Sequence, residues 1–315
     1  MNQNSRILIA DKMHESIMPL LKEAGFTPEY APDITREKIL SSISDYSGLI
    51  IRSKTVVDKE LIDKGERLKF VARAGAGLDQ LDSAYLEEKG IKVINAPEGN
   101  RDAVGEHALG MLLNLLNNIS KANQEVKSGI WDREGNRGYE LNGKVVGIYG
   151  YGNAGKSFAK KLSGLECSVL AYDKYKNGFS ENTVTEVDLN EFRRRVEILS
   201  IHIPLTGETQ FLFSKAELDL YPKLKIILNT ARGEVLKLAD VLEMIRDKRL
   251  IRLGLDVLEK ETIASLAGPD KEILEELAKS DHVIFTPHVA GWTVESYQKI
   301  SQVLAEKILA LDLLQ

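Results

Sequence analysis

Short runs of β-branched and aliphatic residues alternate with segments of helical period along almost the whole chain. Few folds satisfy that alternation, and the simplest is a parallel sheet whose strands are joined by covering helices. In the first third the predicted strands are Ile7–Ala10, Phe26–Tyr30, Leu49–Ile51, Lys69–Arg73 and Lys92–Ile94, with helices over 13–24, 35–43, 58–63 and 82–88. A second series follows at Val145–Tyr149, Ser168–Tyr172, Ile198–Ile203, Lys225–Asn229, Arg252–Leu255 and Val283–Phe285. Six strands make a full doubly wound sheet, and eleven exceed what one twisted open sheet usually carries, so two sheets are predicted. Between the series, 102–129 reads as one long helix with apolar residues at 104, 108, 111, 112, 115, 116 and 119. Val294–Leu314 is again helical and is expected to cross back onto the first domain. The predicted class is α/β, two doubly wound parallel-sheet domains. A domain of residues 98–286 is inserted into a discontinuous one made of 1–97 and 287–315.

The charge balance narrows the partners. With 42 Lys+Arg against 47 Asp+Glu the net charge is −5, which gives no electrostatic case for nucleic acid. No stretch reaches the roughly 18 apolar residues a membrane helix needs, and MNQNSRILIADK has no basic region followed by an apolar one. The lone Cys167 excludes an intrachain disulfide and a multi-cysteine metal cluster, so no metal is expected, and a reducing, cytoplasmic compartment fits.

Strand Val145–Tyr149 runs straight into Gly150, Tyr151, Gly152, Asn153, Ala154 and Gly155, and Lys156–Leu162 is helical. Strand, glycine loop and helix in that order form a dinucleotide fingerprint, in which amides at the helix start meet a pyrophosphate. The same string also satisfies GxxxxGK[ST] through Lys156 and Ser157, the spacing of a triphosphate loop. Asp173, at the end of the next strand and 173 − 150 = 23 positions past the first glycine, favours the dinucleotide. It stands where a carboxylate would hold a ribose hydroxyl. A carboxylate about 4 Å from a 2′-phosphate costs on the order of 4 kcal/mol at an effective dielectric of 20, so NAD is expected over NADP. Lys174, next to it, could turn toward a phosphate instead.

Three later segments put polar residues where strands of the second series end: Asn229-Thr230-Ala231-Arg232-Gly233, Leu255-Asp256-Val257-Leu258-Glu259-Lys260-Glu261 and Thr286-Pro287-His288-Val289-Ala290-Gly291. Singly, an arginine, a glutamate or a histidine in such places is more often an ion pair, a solvated group or packing. In this order, with the glycine loop, they resemble the D-isomer-specific 2-hydroxyacid dehydrogenases over nearly the whole chain. The resemblance implies a Rossmann domain for NAD, a flavodoxin-like substrate domain, and Arg232, Glu261 and His288 as catalytic residues. The chemistry asks for those types. Histidine titrates near neutrality and can exchange a proton with the substrate oxygen. A neighbouring carboxylate favours the imidazolium and fixes the ring. A guanidinium holds a carboxylate and polarises a carbonyl while staying charged. The strand-end residues His202, Pro204, Thr230 and Asp256 are placed with the cofactor, and no chemistry is assigned to His14, His107 or His282.

On the substrate side, Arg73-Ala74-Gly75-Ala76-Gly77-Leu78-Asp79 is similar to the family's turn that holds a carboxylate through backbone amides. Small residues there permit close approach and an anion-binding nest. Arg52, Ser53 and Lys54 follow an earlier strand, and with Arg73 they would suit a phosphorylated substrate. These features, with PEGNRDAVGEHALG and SGIWDREGN, resemble the phosphoglycerate dehydrogenase branch of the family most. That branch implies a homodimer, Arg133 reaching the partner's site, and D-3-phosphoglycerate oxidation in serine synthesis. Glyoxylate or hydroxypyruvate reduction, or another D-2-hydroxyacid reaction, is the nearest alternative. An NAD-sensing corepressor-like scaffold and a triphosphate hydrolase are remote ones. Thr262 stands where proline commonly follows the glutamate, and Gln80 where asparagine commonly follows the aspartate of the turn. The chain stops where the family's catalytic core does, so inhibition by serine through a C-terminal regulatory domain is not expected.

Overall fold

The computed structural model describes residues 5–181 and 183–311. The chain divides into two compact units, residues 1–101 with 292–315, and residues 102–291. The expected cuts at 97/98 and 286/287 lie a few residues upstream of these.

The first unit carries β1 (Arg6–Ile9), β2 (Thr27–Tyr30), β3 (Gly48–Ile51), β4 (Phe70–Arg73) and β5 (Lys92–Asn95). They form an all-parallel sheet in the order β2-β1-β3-β4-β5. Its central strands are apolar on both faces, as a sheet covered on both sides requires. Ile7, Ile9, Phe70 and Ala72 meet Ile17, Leu21, Leu304 and Ile308 on one face, while Leu8, Leu49 and Val71 meet Ile39, Leu61 and Leu86 on the other. The last helix, Val294–Leu309, thus completes the first core, starting at a capping box between Thr293 and Ser296. The expected continuation over Asp312–Leu314 lies outside the described residues.

The second unit holds β6 (Val145–Tyr149), β7 (Ser168–Tyr172), β8 (Thr185–Glu186), β9 (Ile198–Ile201), β10 (Ile226–Asn229), β11 (Arg252–Leu255) and β12 (Val283–Phe285). All pair in parallel in the order β12-β11-β10-β9-β6-β7-β8. The order reverses at β6, which lies between β7 and β9, and ligands of open α/β sheets bind at such a switch point. The fold is α/β, with a Rossmann unit inserted into a flavodoxin-like one. Seven strands replace the expected six, because β8 is a two-residue edge too short to show a period of its own; it pairs with Leu170 and Ala171.

The long connecting helix also departs from expectation. It starts at Pro97, earlier than predicted, and is broken at Asn118 into Pro97–Asn117 and Ile119–Lys127. Asn118 takes a left-handed φ of 53°, a conformation asparagine tolerates better than most residues. The buried guanidinium of Arg252 caps the break: Nε donates to the Leu115 carbonyl at 2.6 Å and Nη2 to Asn118 Oδ1 at 2.9 Å. A cation at the carbonyl end of a helix also meets the negative end of its dipole. Replacing Arg252 with alanine strips two charge-assisted bonds from buried acceptors. The expected loss is about 3 kcal/mol of unfolding free energy, to be measured by chemical denaturation.

Candidate active site

The chain leaves β6 at Gly150 with φ +96°, and a Cβ there would stand 2.6 Å from the His202 carbonyl oxygen. The following helix begins at Asn153, earlier than Lys156, so Asn153, Ala154 and Gly155 belong to its first turn. A Cβ on Gly155 would meet the Gly150 carbonyl at 2.2 Å, whereas one on Gly152 would meet nothing within 4 Å. Two glycines therefore let helix and strand close on each other, and the third keeps a space open beside the helix start. Asp173 fastens this loop. Its Oδ2 accepts from the Tyr151 amide at 2.9 Å, and Oδ1 accepts from the amides of Tyr175 and Lys176 at 3.0 and 3.1 Å. Lys174 is ion-paired with Glu208. Lys156 lies 3.6 Å from Glu181, and Ser157 is buried with its hydroxyl donating to Asp102. A hydroxyl facing the interior cannot ligate a triphosphate's metal ion, which removes the P-loop reading of the same string.

At the ends of β9 and β10 two buried polar atoms have no hydrogen-bond partner, His202 Nδ1 and Thr230 Oγ1. Such groups cost roughly 1–3 kcal/mol each when left unsatisfied. Their position at the switch-point edge fits a bound dinucleotide that brings its own partners. Burial holds His202 down to about 4, so its ring is neutral at ordinary pH; its Nε2 lies 2.8 Å from Ser200 Oγ. Pro204 follows β9 on the exposed side.

The catalytic candidates stand on the neighbouring loops. Arg232 ends the turn after β10, where Asn229 ties the turn by donating to the Arg232 carbonyl (2.8 Å) and accepting from the Ala231 amide (3.0 Å). Arg232 Nη1 donates to the Ala231 carbonyl at 2.7 Å. A Cβ on Gly233 would lie 1.9 Å from the Leu258 carbonyl, so only glycine lets this turn press against the loop that leads to Glu261. His288 Nδ1 sits 2.8 Å from Glu261 Oε1 and 3.0 Å from Oε2. A carboxylate only accepts, so Nδ1 carries the hydrogen and Nε2 is left for proton exchange with a substrate. The pair borders a cavity of about 510 Å³ whose other walls include Leu258, Ile263, Phe285 and Pro287. Asp256, expected beside the cofactor, is 1% exposed and accepts from Thr286 Oγ1 (2.5 Å), the Val289 amide (2.9 Å) and the Ala290 amide (2.8 Å).

In the first unit the segment after β3 is organised by a residue the sequence reading passed over. The buried Asp11 accepts from the amides of Arg52 (2.6 Å) and Lys54 (3.0 Å) and from Thr55 Oγ1 (2.6 Å). Its only sequence signal is an acidic residue two positions beyond β1. Arg52 is stacked 3.8 Å over the Trp292 ring, with Tyr297 at 5.5 Å, and burial draws its pKa below the ordinary value. Arg73 Nε donates to the Arg52 carbonyl at 3.0 Å. In the turn through Ala74, Gly75 and Ala76, Gly75 accepts from the Ala96 amide and Ala76 from Asn95 Nδ2. The Ser53 carbonyl accepts from Gln80, and Lys54 Nζ is spent on the carbonyls of Pro32 and Ile34. Arg133 is exposed, two residues after Trp131, which is 80% exposed.

The family model for the D-isomer specific 2-hydroxyacid dehydrogenase, NAD binding domain, matches residues 109–290. The chain is 34% identical over 306 residues to the D-3-phosphoglycerate dehydrogenase of Methanocaldococcus jannaschii, covering 96% of this chain and 56% of that one. It is 31% identical over 303 residues to the hydroxypyruvate reductase of Thermotoga maritima, covering 96% and 97%. The chain spans about half the length of the phosphoglycerate dehydrogenases it matches, 56% for those of Methanocaldococcus jannaschii and Archaeoglobus fulgidus. D-lactate dehydrogenase from Aquifex aeolicus, complexed with NAD and lactic acid, shares the fold with a TM-score of 0.81 at 24% identity, covering 98% of this chain and 95% of that one.

Two experiments probe this geometry. Gly152→Ala is expected to leave the melting temperature unchanged and weaken NADH binding, read by fluorescence titration, while Gly155→Ala is expected to destabilise the fold itself. For His202, the folded value of about 4 lies below the ordinary 6.5, so the unfolded chain binds more protons between them. Stability attributable to this ring is therefore present above about pH 6.5 and is lost as the pH falls toward 4, by on the order of 3 kcal/mol. His202→Gln should flatten that part of the denaturation profile.

Proposed function

The chain belongs to the D-isomer-specific 2-hydroxyacid dehydrogenases, and we propose that within that family it oxidises D-3-phosphoglycerate to 3-phosphohydroxypyruvate, the first step of serine synthesis. The observation that carries the chemistry is the His288–Glu261 pair, with the ring's Nδ1 committed to the carboxylate at 2.8 Å. Bound NAD supplies the hydride acceptor. In the oxidative direction His288 Nε2 takes the proton of the substrate's 2-hydroxyl as the C2 hydride leaves. Glu261 stabilises the imidazolium that results and keeps the ring from turning. Arg232 holds the substrate carboxylate and the oxygen that becomes the carbonyl, and its charge persists through the reaction. Reduction reverses each step.

The phosphorylated substrate is supported by the first unit. Among the described residues the amides of Ala76 and Gly77 have no acceptor, which suits a carboxylate. Arg52, held by Trp292, and Arg73, at the end of β4, supply cationic charge for a phosphate. Lys54 belongs less to this set, since two carbonyls occupy its ammonium. Arg133 is assigned to the partner's site in a homodimer. The exposed Ile119, Val126, Ile130, Trp131 and Tyr139 would supply its apolar surface. Asp173 beside the glycine loop supports NAD over NADP, and the Lys174–Glu208 pair leaves that lysine little charge to offer a 2′-phosphate. A cytoplasmic location goes with this proposed activity; among the described residues no helix is long and apolar enough to cross a membrane.

Hydroxypyruvate reduction is the second reading, because the Thermotoga maritima relative of that name is matched over 97% of its length. Steady-state kinetics separates the two. A kcat/KM at least about ten-fold higher for 3-phosphohydroxypyruvate than for hydroxypyruvate is expected, about 1.4 kcal/mol of transition-state binding. Arg52→Ala should erase that difference by raising KM for the phosphorylated substrate alone. Equal efficiency with both substrates in the wild type would overturn the phosphate assignment. His288→Ala should abolish turnover and leave NADH binding in place.

A further inference from the structure

We infer that His107 is a positioning residue for the reaction, acting through Thr286 and Asp256 on the loop that carries His288. The inference rests on the dehydrogenase chemistry proposed above. His107 lies on the long helix Pro97–Asn117, far from the proposed catalytic motifs in sequence. Its Nε2 lies 3.0 Å from Thr286 Oγ1 and 3.6 Å from Asp256 Oδ1.

Proton accounting fixes the direction of this chain of bonds. Thr286 has one hydroxyl hydrogen, and at 2.5 Å it goes to Asp256 Oδ1, a carboxylate oxygen that only accepts. The hydroxyl oxygen must then accept from His107, so the ring carries its hydrogen on Nε2. Asp256 passes the constraint on in three ways: Oδ1 accepts from the Val289 amide, Oδ2 from the Ala290 amide, and its backbone carbonyl from the His288 amide at 2.7 Å. His288 is thereby held at φ 55°, a left-handed conformation that a non-glycine residue keeps only when its surroundings enforce it.

The consequence concerns precision at Nε2 of His288. Without the His107–Thr286 bond, the hydroxyl can rotate off Asp256 and the enforced turn loses one of its ties. The ring then samples positions from which proton transfer is poorly aligned, and misplacement of about 1 Å can cost on the order of a hundred-fold in rate. Neither side chain has to touch substrate or cofactor for this to hold.

The test compares His107→Leu and Thr286→Val with the conservative His107→Gln and Thr286→Ser in the full chain. Readouts are initial rates with 3-phosphohydroxypyruvate and with hydroxypyruvate, and amide hydrogen exchange over 286–291. We expect His107→Leu and Thr286→Val each to lower kcat about ten- to a hundred-fold with KM and NADH affinity unchanged, and to speed exchange of the Val289 and Ala290 amides. Glutamine, which can donate from its amide nitrogen, and serine, which keeps the hydroxyl, should restore most of the rate. The double variant should be no slower than either single one, since both cut the same chain. Wild-type kcat in His107→Leu, equal impairment by leucine and glutamine, or a loss confined to KM overturns the inference, as does unchanged exchange. Wild-type turnover of hydroxypyruvate alone overturns only the substrate assignment and leaves the comparison of variants intact.

Discussion

A buried carboxylate that gives its oxygens to one loop's hydrogens underlies the proposed catalytic arrangement. Asp256 follows β11 in the interior, where an ionised group is tolerated only when its lone pairs are filled. The amides of Val289 and Ala290 and the Thr286 hydroxyl fill them. The loop is thus held to the carboxylate, and His288 is held in a backbone conformation it would not otherwise keep. The imidazole reaches Glu261 because the chain beneath it has no freedom to turn away.

The first unit uses the same device. Asp11, two residues beyond β1, gathers the amides of Arg52 and Lys54 and the hydroxyl of Thr55, and so fixes the segment that presents Arg52. Parallel sheets expose loops at their carboxyl ends, and loops are the parts of a fold with the most conformational freedom to lose. An aspartate just beyond a strand has the reach to collect several amides at once. In both units the polar residue that stabilises the edge is buried, while the residues suited to meeting ligands, Arg52, Glu261 and His288, remain partly or largely exposed.

Much of this was legible from residue order alone. Eleven of the strands lie within about two residues of their expected places; in the central ones this is because aliphatic runs buried on both faces have no alternative environment in water. The glycine loop was readable as a loop, Asp173 already favoured its dinucleotide meaning, and the inward-facing Ser157 hydroxyl agrees with that meaning. Strand β8 and the break at Asn118 were not readable. The first is too short to show periodicity, and the second depends on Arg252, which is 134 positions away in the chain.

The sequence by itself determined the α/β class, the succession of strands and the residue types at their ends, since these follow from local hydrophobic period and from what each side chain can do chemically. Only the tertiary structure decided which polar groups are spent on holding loops and which stay available. From the string of letters Asp256 points to the cofactor, Lys54 to a phosphate and His107 to no chemistry at all. Their roles are set by partners brought close through folding, at distances of 2.5 to 3.6 Å that no spacing in the chain encodes.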